Sequence, residues 1–171
     1  MKIVSVIALV LALLPAVSQA QFGRGLRELT LSGSGTSSRE VDAGTVSATG
    51  ELGWYYSPRL ELGVRQSFSW SKGTPDSESV WNGATRLYSD YHYGSGQWRP
   101  YLGASAGFAY GDQVETTLFA GPEAGLKFYV QPAAFLFIQM EYQFRFKDTG
   151  EMSSNVDDGA YAYSFGAGYN F

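Results

Sequence analysis

The 171-residue chain carries a formal net charge of −4, one histidine and no cysteine. Those counts exclude a basic nucleic-acid surface, disulfide staples and thiolate metal sites, and leave little material for a histidine-ligated metal centre. Charged residues make up 16% of the chain, against roughly 25% in an ordinary soluble domain. Aromatic residues also reach 16%, and there are 21 glycines.

The first predicted element is a secretory signal peptide over residues 1–20. Met1-Lys2 is its charged start, Ile3 to Leu14 its apolar run, and Ser18-Gln19-Ala20 its small-residue cleavage site. The run is too short to cross a bilayer as a helix, which takes about 20 residues. Residues 21–171 then form one domain, with no other stretch apolar and long enough for a membrane helix and no peptidoglycan-binding module expected after it.

Alternation with period two fills this domain, the signature of strands that send successive side chains to opposite faces. In chain order, Leu26–Thr36 sends Leu29 and Leu31 to one face and Glu28, Thr30 and Ser32 to the other. Thr45–Tyr56 separates Leu52, Trp54 and Tyr56 from Thr49, Glu51 and Gly53. Leu60–Trp70 separates Leu60, Leu62, Val64, Phe68 and Trp70 from Glu61, Gly63, Arg65 and Ser67. Val80–Tyr93 separates Trp81, Leu87, Tyr91 and Tyr93 from Asn82, Arg86, Asp90 and His92. Trp98–Tyr110 sets Leu102, Ala104, Ala106, Phe108 and Tyr110 against Gly103, Ser105 and Gly107. Thr116–Val130 sets Leu118, Ala124, Leu126, Phe128 and Val130 against Glu123, Gly125 and Lys127. Phe135–Lys147 is the clearest, with Leu136, Ile138, Met140, Tyr142, Phe144 and Phe146 opposing Gln139, Glu141, Gln143, Arg145 and Lys147. The eighth, Tyr161–Phe171, places Tyr161, Tyr163, Phe165, Ala167, Tyr169 and Phe171 on one face.

The connections alternate in length. Ser57-Pro58-Arg59, Gly94-Ser95-Gly96-Gln97 and Gln131-Pro132-Ala133 are tight turns of turn-forming residues. Ser37–Ala43, Ser71–Ser79 and Asp148–Asp158 are longer and polar, and Gly111-Asp112-Gln113 is a short member of the same set. Short periplasmic turns and longer outer loops are the pattern of outer-membrane barrels, and counting back from a periplasmic C-terminus places every tight turn on the periplasmic side.

The same alternation could build a secreted sandwich with its apolar face inward. The content of the faces favours the opposite direction. Trp54, Tyr56, Trp70, Trp81, Tyr91, Tyr93 and Trp98 sit towards strand ends, as membrane interfaces require. The other face mixes small residues with charges of both signs. The expected fold is therefore all-β: an eight-stranded antiparallel transmembrane β-barrel, an up-and-down meander following the signal peptide.

Two motifs carry a family resemblance. Pro100 to Tyr110, with its glycine spacing, and Ser164-Phe-Gly166-Ala-Gly-Tyr169-Asn-Phe171 at the end resemble the small eight-stranded outer-membrane barrels of Gram-negative bacteria, the OmpA/OmpX-like group. The resemblance implies a bacterial outer-membrane location. It also implies that Ser164, Gly166, Tyr169 and Phe171 form an assembly signal read by the barrel assembly machinery. Outer-membrane lipid and lipopolysaccharide are then the surroundings of what is expected to be a monomer, without nucleic acid or cofactor.

A barrel of eight strands has an interior just wide enough for side chains. Enclosed charges must pair, so Glu51, Arg65, Arg86, Glu123, Lys127, Glu141 and Arg145 are expected to form a polar network in the lumen, with Glu61, Asp90 and Lys147 also facing in. Glu123 and Lys127, and Glu141 and Arg145, each lie four apart on one strand face. A structural role in the envelope or at the cell surface follows. A narrow ion-conducting pore is the second reading, and a lipid A-modifying enzyme the third. For the third, His92 is expected at the lumen rim and Ser89 has the opposite strand parity, so no catalytic, cofactor or metal set is expected. Glu151, Asp157 and Asp158 bias the last loop towards acid without the spacing of a calcium loop.

Overall fold

The computed structural model describes residues 23–37, 44–72, 78–112, 114–146 and 159–171. The expected signal peptide and most of the longer loops, with Lys147, Glu151, Asp157 and Asp158, lie outside these residues. Eight strands follow one another: β1 (Arg27–Ser37), β2 (Gly44–Tyr55), β3 (Leu60–Lys72), β4 (Val80–His92), β5 (Trp98–Gly111), β6 (Val114–Tyr129), β7 (Ala134–Phe146) and β8 (Ala160–Asn170). Each pairs antiparallel with the next, and β8 returns to β1, so the sheet is a closed barrel. Among the described residues there is no helix.

The direction of the faces is unambiguous. Leu87 is 66% exposed and Tyr163 72%, whereas Glu61 is 0% and Arg65 2% exposed. A soluble barrel would show the reverse, because apolar side chains gain nothing from water. An apolar exterior around a charged interior is stable only when hydrocarbon surrounds it. The fold is therefore that of a transmembrane barrel.

One end of the barrel gathers the tight turns and the described chain ends. In the β2–β3 turn, Ser57 Oγ accepts from the Arg59 and Leu60 amides at 3.3 and 3.0 Å. Gly94 adopts φ +76° in the β4–β5 turn, a conformation that would strain a side chain. This turn end is laced together by backbone bonds between neighbouring connections: Tyr55 N to Leu26 O, His92 N to Arg59 O, Tyr129 N to Gln97 O and Asn170 N to Ala133 O, all within 2.8 Å.

The loop end departs from expectation in two places. β3 runs on to Lys72, so Ser71 belongs to the strand. Gly111 also belongs to a strand, where a bulge between Ala109 and Gly111 shifts the β5–β6 register. Gly111 holds φ +152°, and a Cβ there would lie 2.5 Å from Trp81 O.

Candidate functional site: the charged lumen

Alternation delivers every inward side chain to one narrow column, and three linked clusters fill it. At the turn end, Lys127 is the hub. Its ammonium donates to Glu28 Oε1 at 2.5 Å and Glu61 Oε2 at 2.8 Å, and to the Tyr55 hydroxyl at 3.3 Å. Tyr55 donates to the other Glu28 oxygen at 3.0 Å, and Tyr88 to Glu61 Oε1 at 2.9 Å. His92 Nε2 lies 2.9 Å from Glu61 Oε2. The rings of Tyr55, Tyr101 and Phe135 surround the ammonium at 5.7, 5.5 and 5.1 Å, where each ring face attracts a cation.

In the centre, Arg65 on β3 holds three acceptors at once. It bonds Glu51 at 2.7 Å through Nε, Glu123 at 2.9 Å through Nη1 and Gln139 at 3.2 Å through Nη2. Gln139 closes the ring by donating to Glu123 at 3.1 Å and accepting from Tyr101 at 3.0 Å. Towards the loop end, Arg86 bonds Glu141 at 2.6 Å and Ser67 at 2.8 Å, and Ser105 donates to Glu141 at 2.6 Å. Arg65 Nη1 lies 3.6 Å from the same Glu141 carboxylate, which links this cluster to the centre.

Five of these ion pairs cross the lumen between strands that are not neighbours: Lys127 on β6 to Glu28 on β1 and Glu61 on β3, Arg65 on β3 to Glu123 on β6 and Glu141 on β7, and Arg86 on β4 to Glu141. Such pairs tie opposite walls together. They also satisfy charges whose isolation in an enclosed space would cost several kcal/mol each, on the order given for buried ions.

Glycines on the inner face make this filling possible. A Cβ on Gly63 would lie 2.4 Å from the Tyr88 ring, one on Gly125 2.3 Å from Tyr101, and one on Gly168 2.1 Å from Phe135. The rings therefore lie flat over the glycine backbone of adjoining strands, in space that any side chain would occupy.

Of the residues expected to form the network, the structure brings Glu51, Arg65, Arg86, Glu123, Lys127 and Glu141 into it. Arg145 shares their strand face but is exposed at the loop end, outside the network among the described residues. The intrastrand spacing pairs neither Glu123 with Lys127 nor Glu141 with Arg145: each described partner stands on another strand. His92, the last residue of β4, is fully buried on the lumen side at the turn end. Its ring nitrogen falls within 4.8 Å of ligand atoms of Glu61 and Asp90, but the Lys127 ammonium already takes the Glu61 oxygen that faces it. Ser89 stands on the opposite face from His92, as strand parity requires. Ser164 and Gly166 face inward, the latter against Leu31 O and Phe137, while Tyr169 and Phe171 face outward.

Glu28, Tyr55, Tyr88, Arg99, Tyr101, Phe119, Phe135 and Phe137 complete the interior. Arg99 reaches out of the column to donate to Pro58 O at 2.9 Å. The signal for these residues was parity alone, and the inward aromatics are the part that a polarity-based reading overlooks.

No family model and no curated relative matches the chain. Solved structures do. The N-terminal β-barrel domain of Pseudomonas aeruginosa OprF is 19% identical, with a TM-score of 0.57, over 87% of this chain and 98% of that one. The outer membrane protein OprG of Pseudomonas aeruginosa is 11% identical, with a TM-score of 0.58, over 88% and 98%. The outer membrane protein Ail of Yersinia pestis, in a phospholipid bilayer nanodisc, is 14% identical, with a TM-score of 0.51, over 86% and 100%. The chain thus has the fold of the small eight-stranded outer-membrane β-barrels. At these identities the likeness is one of architecture, the level at which the motif resemblance was drawn.

Proposed function

We propose that the chain is an integral protein of the bacterial outer membrane, a monomer with both ends in the periplasm and a structural role in the envelope. The reading rests on one observation: the lumen is filled from wall to wall by paired charges and rings. Glu61, Arg65, Glu123 and Lys127 are each at most 3% exposed, which leaves the turn-end half without a water column. Tight turns gathered at one end, as in outer-membrane barrels, support the periplasmic placement of that end. The strand-end aromatics anchor the barrel in outer-membrane lipid and lipopolysaccharide. Ser164, Gly166, Tyr169 and Phe171 are the residues the assembly machinery would read.

Single-channel recording in planar bilayers tests the filled lumen. Purified protein gives no conductance steps above the lipid background; steady unitary currents would replace this reading with a pore. Cells lacking the protein become more sensitive to detergent and bile salts, and unchanged sensitivity would remove the envelope role.

A further inference from the structure

β1 and β8 close the barrel over only half their length. Their pairs run from Glu28↔Asn170 to Ser32↔Gly166, yet β1 continues to Ser37 and β8 begins at Ala160. Both strands keep their other neighbours throughout: Gly33 to Ser37 pair with β2, and Tyr161 to Phe165 pair with β7. Among the described residues, two backbone edges therefore face each other unpaired in the loop-end half of the seam. Phe165 is the midpoint of β8, so the gap opens near mid-membrane and runs towards the tyrosines at 163 and 161. Backbone groups left without partners are strongly disfavoured in hydrocarbon, and acyl chains cannot supply the missing bonds.

The two sides of this slit differ chemically. On the lipid side a groove of about 570 Å³ starts at Gly33 and passes Tyr163 and Phe165 to Ile138, Met140 and Leu126. On the lumen side the loop-end half is lined by small polar side chains, among them Ser47, Thr49, Ser67, Ser69, Asn82 and Ser164, all half-buried. The fixed charges below them are engaged in ion pairs, Arg86 with Glu141 at 2.6 Å and Arg65 with Glu51 at 2.7 Å. Hydroxyls and open backbone edges suit an uncharged hydrogen-bonding head.

We propose that the β1–β8 seam is a lateral binding site for a single-chain amphiphile with an uncharged polar head, of the monoacylglycerol class. The acyl chain lies in the Phe165–Ile138 groove. The head passes through the slit, bonds the free edges of β1 and β8, and ends among the lumen hydroxyls. The inference rests on the membrane-embedded reading of the barrel.

The chain has no cysteine, so a reversible lock is available. Gly33 and Phe165 are the next pair in the register after Ser32↔Gly166, and G33C with F165C would zip the slit when oxidised. The full protein is reconstituted in phosphatidylcholine vesicles with a monoacylglycerol carrying a diazirine on its acyl chain. Photolabelling concentrates on Ile138, Met140 and Tyr163, is lost on oxidation of the double variant and returns on reduction. Labelling spread evenly around the lipid face, or equal in the oxidised and reduced forms, overturns the proposal. Because both forms are the same folded protein, a folding defect cannot mimic the result. Failure to insert into the vesicles would instead overturn the membrane reading beneath it.

Discussion

Arg65 and Glu123 meet at 2.9 Å across the lumen although they stand on β3 and β6. The same guanidinium bonds Glu51 at 2.7 Å and lies 3.6 Å from Glu141. Replacing it with a neutral side chain strands Glu51 and Glu123 in an enclosed space, while Glu141 keeps Arg86 at 2.6 Å. R65M is expected to cost about 3–5 kcal/mol, the range for breaking a buried pair from one side. Adding E123Q to R65M recovers part of the loss, because one stranded charge goes with it. Urea titration of the refolded variants in lipid vesicles, read as a double-mutant cycle, measures both values.

Lys127 should be the least replaceable cation. Its ammonium fits between Glu28 and Glu61 inside a cage of three rings. A guanidinium carries its charge in a wide planar fork and would push against Tyr55, Tyr101 and Phe135. K127M and K127R should therefore both lower the unfolding midpoint, even though the second keeps the charge. Heat-modifiable migration on gels gives the order, and a K127R barrel as resistant as the parent would contradict the cage.

Gly125 and Tyr101 form a testable steric pair. Alanine at 125 puts a methyl 2.3 Å from the Tyr101 ring, and overpacking of this kind costs about 1–3 kcal/mol. Shrinking the ring in G125A/Y101L relieves the clash but gives up the Tyr101–Gln139 bond of 3.0 Å. The double variant is expected to be less destabilised than the sum of the singles, and additivity would show that the ring can move aside.

On the outer wall the sign of the rule reverses. Leu87 lies next to the middle of β4 and is 66% exposed. L87R is expected to cost about 2–4 kcal/mol, the penalty for arginine near the bilayer midplane, whereas an arginine in place of Trp81 or Tyr91, on the same face beside the strand ends, should cost far less. A flat profile along β4 in vesicle-based unfolding would mean that this face does not meet hydrocarbon.

Strand positions and facing were legible because both follow from period two, and every expected segment falls within two residues of an observed strand. Partner choice was not. Spacing along one strand suggested Glu141 with Arg145, but residues four apart on an extended chain are far enough separated that side chains from the opposite wall arrive first. Arg86 does so from β4. The inward aromatics were hidden for another reason. Tyr55, Tyr88 and Tyr101 share parity with the charges, but tyrosine is at home on either face of such a wall. What assigns Tyr88 and Tyr101 inward is a glycine on an adjoining strand, Gly63 or Gly125, and that pairing appears only once the register is known. Arg145 followed the parity rule and still left the network, because the column ends before the strand does.

The lumen pairs also bear on how the chain comes together. Lys127, Arg65 and Arg86 each hold a carboxylate on a strand three away, for Lys127 and Glu28 on the far side of the closing seam, and only Arg65 has a second one, Glu51, on the strand beside it. A half-built sheet of four or five strands holds one member of a pair and lacks the other. Its inner surface would remain wet and unbalanced until the last strand arrives. Partial intermediates therefore gain little from committing early, and docking of the final hairpin against the first strand becomes the step after which return is unfavourable.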